Sequence, residues 1–416
     1  MTCDRIFLAK AARSALVVTA LLAGLPAPAL SQASTCSADK IQASKALTRV
    51  CMPAPGHWNG DLVVFAHGYV SPEAPLEIPE DQLSLPDGTS IPGIVNALGF
   101  GFATTSYRKN GLAVLPGIED VRDTVDAFVA EQGPPRHTYL VGASEGGLVT
   151  ALAVERSPEV FSGGVATCGP VGDFRRQVNY WGDFRALFDL YFPGLLPPSA
   201  VNVPQYVRDQ WTRTYVPRIT MAFAARPAAL DQLLRVSRAP FDPADADSKV
   251  ATALGLLWYS AFATMDGIAT LRGQPFDNTT RWYTGSGNDF LLNLLVKRYR
   301  ADSVAVQEIE GNYQTSGRLG VPLVTLHTTA DPIVPYWHEP LYSLKALFGG
   351  SGLLHVNLPA LRYGHCRFEP AEALVALGLL VLKVEGRELQ NAERVLMTEK
   401  SREHYRSLAR ASGLHR

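Results

Sequence analysis

Short apolar runs alternate with longer amphipathic stretches over much of the chain. Each apolar run is bounded by turn residues, which is typical of a buried strand, and the amphipathic stretches repeat apolar residues at helical spacing. Because strands that alternate with helices form βαβ units, the pattern predicts an α/β fold with a mostly parallel sheet and helices on both faces. The predicted strands are 62–66, 102–106, 138–141, 163–167, 322–327 and 353–358, and the clearest predicted helices are 119–131, 147–156 and 369–382.

The alternation stops between about residues 169 and 319, where helix-like runs are joined by prolines and no strand is evident. A block of this size inside a sheet domain is best explained as a helical cap or lid. We therefore predict a sheet domain in two parts, 34–170 and 320–390, separated by a helical insertion at 171–319 and followed by a C-terminal helical tail at 391–416, which we expect to be solvated.

Seven aromatic residues are concentrated at the start of the helical insertion. Several of them recur at helical spacing, which favours the core of a cap helix, but the same stripe could form the apolar wall of an acyl or aryl pocket. The residues are Phe174, Tyr180, Trp181, Phe184, Phe188, Tyr191 and Phe192.

The first 33 residues have the layout of a secretory signal. Three basic residues precede an apolar run at 15–25, which is followed by prolines and small residues. That run has only eleven residues, whereas a membrane-spanning helix needs about 20. We predict cleavage after Ala33, with a second candidate site at 27–29. The mature protein would then be secreted or periplasmic, with no integral membrane segment.

Cleavage at Ala33 would remove Cys3 and leave Cys36, Cys51, Cys168 and Cys366. An even number of cysteines in an exported chain suggests two disulfides, with three possible pairings, although some could remain buried thiols. We favour Cys36–Cys51, which would pin the mature N-terminus, and Cys168–Cys366. The chain has no CxxC, and its histidines lack HxxxH or HExxH spacing, so we expect no metal site.

The composition narrows the class of protein. The 416 residues are 47% hydrophobic and 19% charged, with a net charge of −1. A chain this apolar is not intrinsically disordered. Without a basic stripe to displace counterions from phosphate, it is not expected to bind nucleic acid. A globular protein remains, and an enzyme is the natural expectation.

A serine at a predicted strand-to-helix turn is the sharpest chemical signal. The sequence Gly142-Ala-Ser144-Glu-Gly146 follows one predicted strand directly and precedes a helix. In such a turn the glycines let the serine stand clear of the sheet on a strained backbone. The helix N-terminus and the Glu145 N–H could then stabilise a developing negative charge. Upstream, His67-Gly68 ends an early strand, and we expect the Tyr69 N–H to be a second donor, unless Gly68 is simply a turn glycine.

A serine nucleophile needs a base, and that base needs a carboxylate to orient it. Asp331 lies in the loop after a predicted strand, and His365 follows the last predicted strand and precedes the last core helix. The other histidines lie within or beside strands or at a helix start. The order serine, acid, histidine therefore predicts Ser144 as nucleophile, Asp331 as acid and His365 as base.

Together these motifs resemble the α/β-hydrolase superfamily, and the set is closest to secreted esterases, lipases and prolyl-oligopeptidase-like domains. The resemblance covers about 50–168 and 321–382 and implies the fold and the three catalytic roles, but says nothing of the helical insertion. The tannase and feruloyl esterase family joins a cysteine beside its serine to one beside its histidine. Here Cys366 follows His365, whereas Ala143 precedes Ser144; Cys168 could substitute, and a Cys168–Cys366 bond would brace the histidine loop.

The resemblance implies a secreted serine hydrolase that cleaves small carboxylic esters through an acyl-enzyme, without a cofactor. One alternative is an amidase or small-peptide exopeptidase of the prolyl-oligopeptidase-like branch. Another is a non-catalytic binding protein on a hydrolase scaffold. The run Gly285-Ser286-Gly287 resembles a fragment of a dinucleotide-binding loop, but Phe290 stands where the third glycine belongs, so no nucleotide cofactor is expected.

Overall fold

A computed structural model of the chain describes residues 35–414. The predicted signal segment, its cleavage site at Ala33 and Cys3 lie outside the described residues. Within these residues, the helices pack around one sheet of nine strands. The strands are β1 (Thr35–Cys36), β2 (Lys40–Ile41), β3 (Leu47–Met52), β4 (Leu62–Ala66), β5 (Gly101–Thr105), β6 (Thr138–Ala143), β7 (Gly163–Thr167), β8 (Leu323–Ala330) and β9 (His355–Tyr363).

The sheet is mostly parallel, as the sequence pattern predicts. Its strand order is β1-β3-β5-β4-β6-β7-β8-β9, with β2 beside β3. Six neighbouring strands pair in parallel, in the order β5, β4, β6, β7, β8 and β9. At one edge β1, β2 and β3 form the antiparallel pairs. The carboxyl ends of the parallel strands therefore meet at one side of the sheet, where the loops after β4, β6, β8 and β9 lie together.

Helices cover both faces of the sheet. They are α1 (Ile91–Ala97), α2 (Val114–Gln132), α3 (Glu145–Arg156), α11 (His338–Phe348), α12 (Pro370–Glu385) and α13 (Glu399–Ser412), with α11 beside β9. On one face α2 and α3 bury apolar residues such as Val121 and Leu148, and on the other face α1, α12 and α13 bury Val95, Leu374 and Tyr405. The C-terminal tail is thus not merely solvated: Ala409 is fully buried beside Tyr405, because α13 packs its narrow apolar side against α12.

The chain between β7 and β8 is helical. Its aromatic and aliphatic side chains, including Phe184, Phe188 and Leu257, form a third buried cluster that also takes in Ile333 and Val334 from the loop after β8. The helical insertion therefore packs directly on the loop that carries Asp331. Its helices are α4 (Phe174–Tyr191), α5 (Gln205–Asp209), α6 (Val216–Ala225), α7 (Pro227–Ser237), α8 (Ser248–Thr270), α9 (Asp289–Leu295) and α10 (Ser303–Glu308).

Both favoured disulfides are present, Cys36–Cys51 and Cys168–Cys366. The first joins β1 to β3 at the antiparallel edge, and the second joins the end of β7 to the segment after β9. No helix within residues 35–414 is both long and apolar enough to cross a bilayer.

Two glycines make a matched test of how tightly α3 is held against the sheet. A Cβ on Gly146 would lie 2.0 Å from the Ala66 carbonyl oxygen, whereas a Cβ on Gly267, inside α8, meets nothing within 4 Å. We expect Gly146→Ala to lower the free energy of unfolding by about 3 kcal/mol or more through overpacking. Gly267→Ala should raise it by about 0.5–1 kcal/mol, because alanine favours the helix.

Denaturant unfolding of both variants and the wild type measures these changes. Equal stabilities of the two variants would contradict the close approach of α3 to β4.

Candidate active site

Ser144 lies on a strained turn between β6 and α3. Its backbone has φ 57° and ψ −117°, a region that residues with a side chain rarely adopt. The turn is closed by close contacts: a Cβ on Gly142 would lie 2.1 Å from the Gly146 carbonyl oxygen. Glycines at both positions are therefore required by the packing.

The structure brings Ser144, His365 and Asp331 into one hydrogen-bonded chain. The Nε2 atom of His365 lies 2.8 Å from Ser144 Oγ, and its Nδ1 atom lies 2.7 Å from Asp331 Oδ2. The other oxygen of Asp331 accepts hydrogen bonds from the backbone N–H groups of Ile333 and Val334, at 2.8 and 3.0 Å. The three residues come from loops after β6, β8 and β9, which the parallel sheet places at one edge.

The loop that carries His365 is held from two sides. Gly364 has φ 109° and Cys366 has φ 53°, so the chain turns sharply around the histidine. The Thr328 hydroxyl donates a hydrogen bond of 2.5 Å to the Gly364 carbonyl, and the bond from Cys366 to Cys168 ties the other side to β7. The Cys168–Cys366 bond thus braces the loop that carries His365.

A second histidine, His327 on β8, lies behind Asp331 in the core. Its Nδ1 atom is 2.9 Å from Glu339 Oε1, and its Nε2 atom is 2.8 Å from the Val334 carbonyl and 3.5 Å from Asp331 Oδ2. Because both nitrogens face acceptors, the ring carries two protons. Burial alone would lower the pKa of His327, but its hydrogen bonds to Asp331 and Glu339 outweigh burial and raise it to about 10.

The positive ring of His327 acts on the carboxylate in front of it. Burial alone would raise the pKa of Asp331, but the charge of His365 and the hydrogen bonds from His327 and His365 lower that pKa below its ordinary value. Sequence reasoning treated His327 as a strand residue and missed this contact. The available signal was a histidine inside an apolar strand, because a buried polar group needs a partner.

The two predicted oxyanion donors lie beside Ser144. A Cβ on Gly68 would lie 3.1 Å from Ser144 Cβ, so the segment at Gly68 and Tyr69 passes directly alongside the serine. The Gly68 N–H donates to Gln82 Oε1 at 2.7 Å, which holds this segment in place. Glu145 starts α3, next to Ser144. The role of the Tyr69 and Glu145 N–H groups remains a prediction.

A pocket opens next to Ser144. Its walls are largely apolar and come from the core and the helical insertion, including Leu148, Phe174, Val178, Trp181 and Ala263. The aromatic stripe is divided between two places: Phe174 and Trp181 line this pocket, whereas Phe184, Phe188 and Phe192 lie in the buried cluster of the insertion.

Glu145, one of the residues that line this pocket, has a buried carboxyl group. The residue is only 8% exposed, and its Oε1 atom accepts a hydrogen bond of 2.7 Å from the Ala113 N–H. Burial raises the pKa of Glu145 to about 8, and the single backbone hydrogen bond and the charge of Lys109 only partly oppose this, while Asp266 adds to it. The carboxyl group is therefore mostly neutral at pH 7.

Two clusters have metal-ligating residue types close together among the described residues. In one, Cys168 and Cys366 flank His365, but their sulfurs are bonded to each other. In the other, Asp61, His137 and Glu385 meet at the opposite end of β6. There Arg136 engages Asp61, and Tyr139 and Arg387 engage Glu385, so protein groups already occupy these carboxylates.

The neutral carboxyl of Glu145 predicts a pH-dependent stability. The folded state holds a proton on Glu145 up to about pH 8, whereas an unfolded glutamate loses it near 4.5. Stability should therefore fall as pH rises from about 5 to 8, by roughly 3–5 kcal/mol from this group. The isosteric Glu145→Gln change removes that contribution, so the variant should gain stability relative to wild type across this range.

Free energies of unfolding at pH 5 and pH 8 for both proteins test this, with the exposed Glu77→Gln as a control that should follow wild type. A constant difference between wild type and Glu145→Gln would show that Glu145 is ionised throughout.

The sequence matches no protein-family model and no curated protein sequence. In structure the chain is similar to lipase A from Candida antarctica, with a TM-score of 0.48, 14% identity, and coverage of 87% of this chain and 82% of that one. It is also similar to feruloyl esterase B from Aspergillus oryzae, with a TM-score of 0.44, 14% identity, and coverage of 84% and 79%.

An acylaminoacyl peptidase from Pyrococcus horikoshii is similar at a TM-score of 0.40 and 12% identity, with coverage of 80% of this chain and 37% of that one. The chain spans about two fifths of the length of the acylaminoacyl peptidases that it matches. Because the similarity to these solved structures is low, we assign the fold from the chain's own strand order and from its strand-to-helix turn at Ser144. With six parallel strands, a serine elbow between β6 and α3, and acid and histidine loops after β8 and β9, the chain has the α/β-hydrolase fold.

Proposed function

We propose that the protein is a serine hydrolase that cleaves carboxylic esters, with Ser144, His365 and Asp331 as its catalytic residues. The observation that supports this most directly is the continuous hydrogen-bonded chain from Ser144 Oγ through His365 to Asp331. A serine hydroxyl within 2.8 Å of an imidazole nitrogen can pass its proton to that nitrogen as it attacks a carbonyl.

In the proposed reaction Ser144 Oγ attacks the ester carbonyl carbon while His365 Nε2 accepts the hydroxyl proton. His365 then donates that proton to the leaving alkoxide, which departs as the alcohol and leaves the acyl group on Ser144. A water molecule attacks the acyl-enzyme next, with His365 again accepting a proton and returning it to Ser144 as the carboxylic acid leaves. No cofactor enters these steps.

Asp331 fixes the orientation and tautomer of His365. Its Oδ2 atom accepts from the Nδ1 side of the ring, so the lone pair of the neutral ring is on Nε2, facing Ser144. We assign the oxyanion to the N–H groups of Tyr69 and Glu145, where the dipole of α3 adds to the stabilisation of negative charge. The apolar pocket beside Ser144 suits a hydrocarbon acyl group better than a charged one.

We also propose that the protein works outside the cytoplasm. The two disulfides support this, since such bonds persist in oxidising compartments, as does the signal-like layout of the first 33 residues. The substrate would be a small-molecule ester.

Replacing Ser144 with alanine should remove turnover and leave the fold intact. We expect kcat/KM for p-nitrophenyl butanoate to fall by about 10⁴-fold or more, because the nucleophile is lost. The matched change Ser401→Ala, on the distant helix α13, should leave kcat/KM unchanged. Activity of Ser144→Ala equal to that of wild type would refute the assignment.

The same proteins distinguish the two alternative functions. Labelling by a fluorophosphonate should occur in wild type and disappear in Ser144→Ala and His365→Ala; a wild type that resists labelling would support a non-catalytic binding protein. Faster turnover of aminoacyl arylamides than of matched esters would support an amidase or exopeptidase.

The change Asp331→Asn should damage catalysis without disturbing the loop that carries residue 331. The amide oxygen can keep both backbone hydrogen bonds from Ile333 and Val334, so the amide N–H₂ is turned toward His365 Nδ1. That forces the ring proton of His365 onto Nε2, and a protonated Nε2 can no longer accept a hydrogen bond or a proton from Ser144. We expect kcat to fall by about 10⁴-fold. The exposed Asp209→Asn should retain wild-type kcat, and a loss of less than tenfold in Asp331→Asn would argue against Asp331 as the orienting acid.

A further inference from the structure

Helix α4 lines two different pockets. The residues of α4 that line the pocket beside Ser144 are Phe174, Val178 and Trp181. Those that line the second pocket are Arg176, Asn179, Tyr180 and Asp183. Because an α-helix has about 3.6 residues per turn, these two sets lie on opposite sides of α4. The second pocket is therefore separate from the one beside Ser144.

Three other segments complete the second pocket. They are the end of α7 with Arg238, the segment 277–283 with Asp277 and Arg281, and the loop after β8 with Trp337. Each of these segments is held against α4. Helix α7 packs on α4, and the Asp277 N–H donates a hydrogen bond of 2.9 Å to Asn179 Oδ1. The guanidinium group of Arg176 lies over the Trp337 ring, with 4.6 Å between its Cζ atom and the ring centroid.

The charges in the walls of the second pocket do not balance. Three arginines and two aspartates are the charged residues that line it: Arg176, Arg238, Arg281, Asp183 and Asp277. Arg281 pairs with Asp183, at 3.4 Å from Nε to Oδ2. Within residues 35–414, neither Arg176 nor Arg238 pairs with a carboxylate, and both side chains are exposed. The pocket therefore has a net positive charge and two cations without a protein counterion.

The same pocket holds several hydrogen-bond donors without a protein acceptor. Stacking on Trp337 covers one face of the Arg176 guanidinium and leaves the N–H groups at its edge free to donate. The Asn179 side chain accepts through Oδ1, so its amide N–H₂ group is a further donor. An oxyanion is the kind of ligand that satisfies several such donors at once, and its bonds to a guanidinium are strengthened by charge.

The other walls limit which oxyanion the pocket suits. Because Asp183 and Asp277 line it too, a ligand with two negative charges would be repelled more strongly than a monoanion. The rings of Tyr180 and Trp337 are aromatic walls, against which a flat apolar group can pack. A carboxylate has a single negative charge and matches the planar fork of an arginine side chain.

We propose that this second pocket is a binding site for a small organic monocarboxylate. The N–H groups of Arg176, Arg238 and Asn179 bind the carboxylate, and the flat apolar part of the ligand packs against Tyr180 and Trp337. The site is additional to the pocket beside Ser144 and does not depend on the proposed ester hydrolysis.

Equilibrium dialysis of the wild-type protein against benzoate, at pH 7 and low ionic strength, tests the ligand class. We expect a Kd of about 1 mM or lower. Benzamide has nearly the same shape without the charge, and acetate has the charge without the ring, so each should bind about tenfold more weakly or worse. Benzoate and benzamide with equal affinities, or no saturable binding of benzoate, would overturn the proposal.

Substitutions of the arginines locate the bound benzoate. Arg176→Gln and Arg238→Gln should each raise the Kd about tenfold, because each removes a charged donor. Both side chains are exposed, so the variants should unfold at the wild-type denaturant concentration. Arg213→Gln is the matched control: Arg213 is an exposed arginine of the same insertion that does not line this pocket, and its loss should leave the Kd unchanged. An unchanged Kd in both pocket variants would place benzoate elsewhere and overturn the site.

Two further measurements separate this site from its alternatives. Phenyl phosphate carries about two negative charges at pH 7, and tighter binding of this compound than of benzoate would overturn the carboxylate assignment in favour of a phosphate group. Ser144→Ala should bind benzoate with the wild-type Kd, because Ser144 lines the other pocket. A Kd raised tenfold in Ser144→Ala would show that benzoate occupies the pocket beside Ser144 and would also overturn the proposal.

Discussion

The strained backbone at Ser144 is the constraint on which the rest of the site depends. A residue with a side chain at this φ and ψ costs on the order of 1–3 kcal/mol, so the surrounding structure must leave it no alternative. It does so by close packing: α3 begins so near β4 that the Ala66 carbonyl occupies the space of any side chain at residue 146. The energy of the buried sheet and helix thus holds one hydroxyl in a defined place.

Two buried carboxyl groups within this site differ in charge because they differ in the number of donors that face them. Asp331 meets two backbone N–H groups and His365, with the positive ring of His327 behind it. Glu145 meets one backbone N–H. The first group stays ionised and can orient an imidazole, whereas the second keeps its proton near neutral pH. Residue type alone would not separate them.

Much of the sheet could be predicted from local pattern. The expected strands 62–66 and 163–167 coincide with β4 and β7, because central parallel strands are buried on both faces and are therefore continuously apolar. The antiparallel edge escaped prediction. In β3 buried and half-exposed residues are mixed, and β1 and β2 have two residues each. Such strands are defined by their partner rather than by their own composition.

The sequence by itself determined the α/β class, the serine elbow and the order of Ser144, Asp331 and His365, since each depends on short-range pattern or on chain order. Only the tertiary structure decided which side chains meet behind and beside those residues. His327 of β8 lies between Asp331 and Glu339 of α11, and Phe174 and Trp181 of α4 line the pocket beside Ser144. Contacts between distant segments depend on packing, and no local periodicity encodes them.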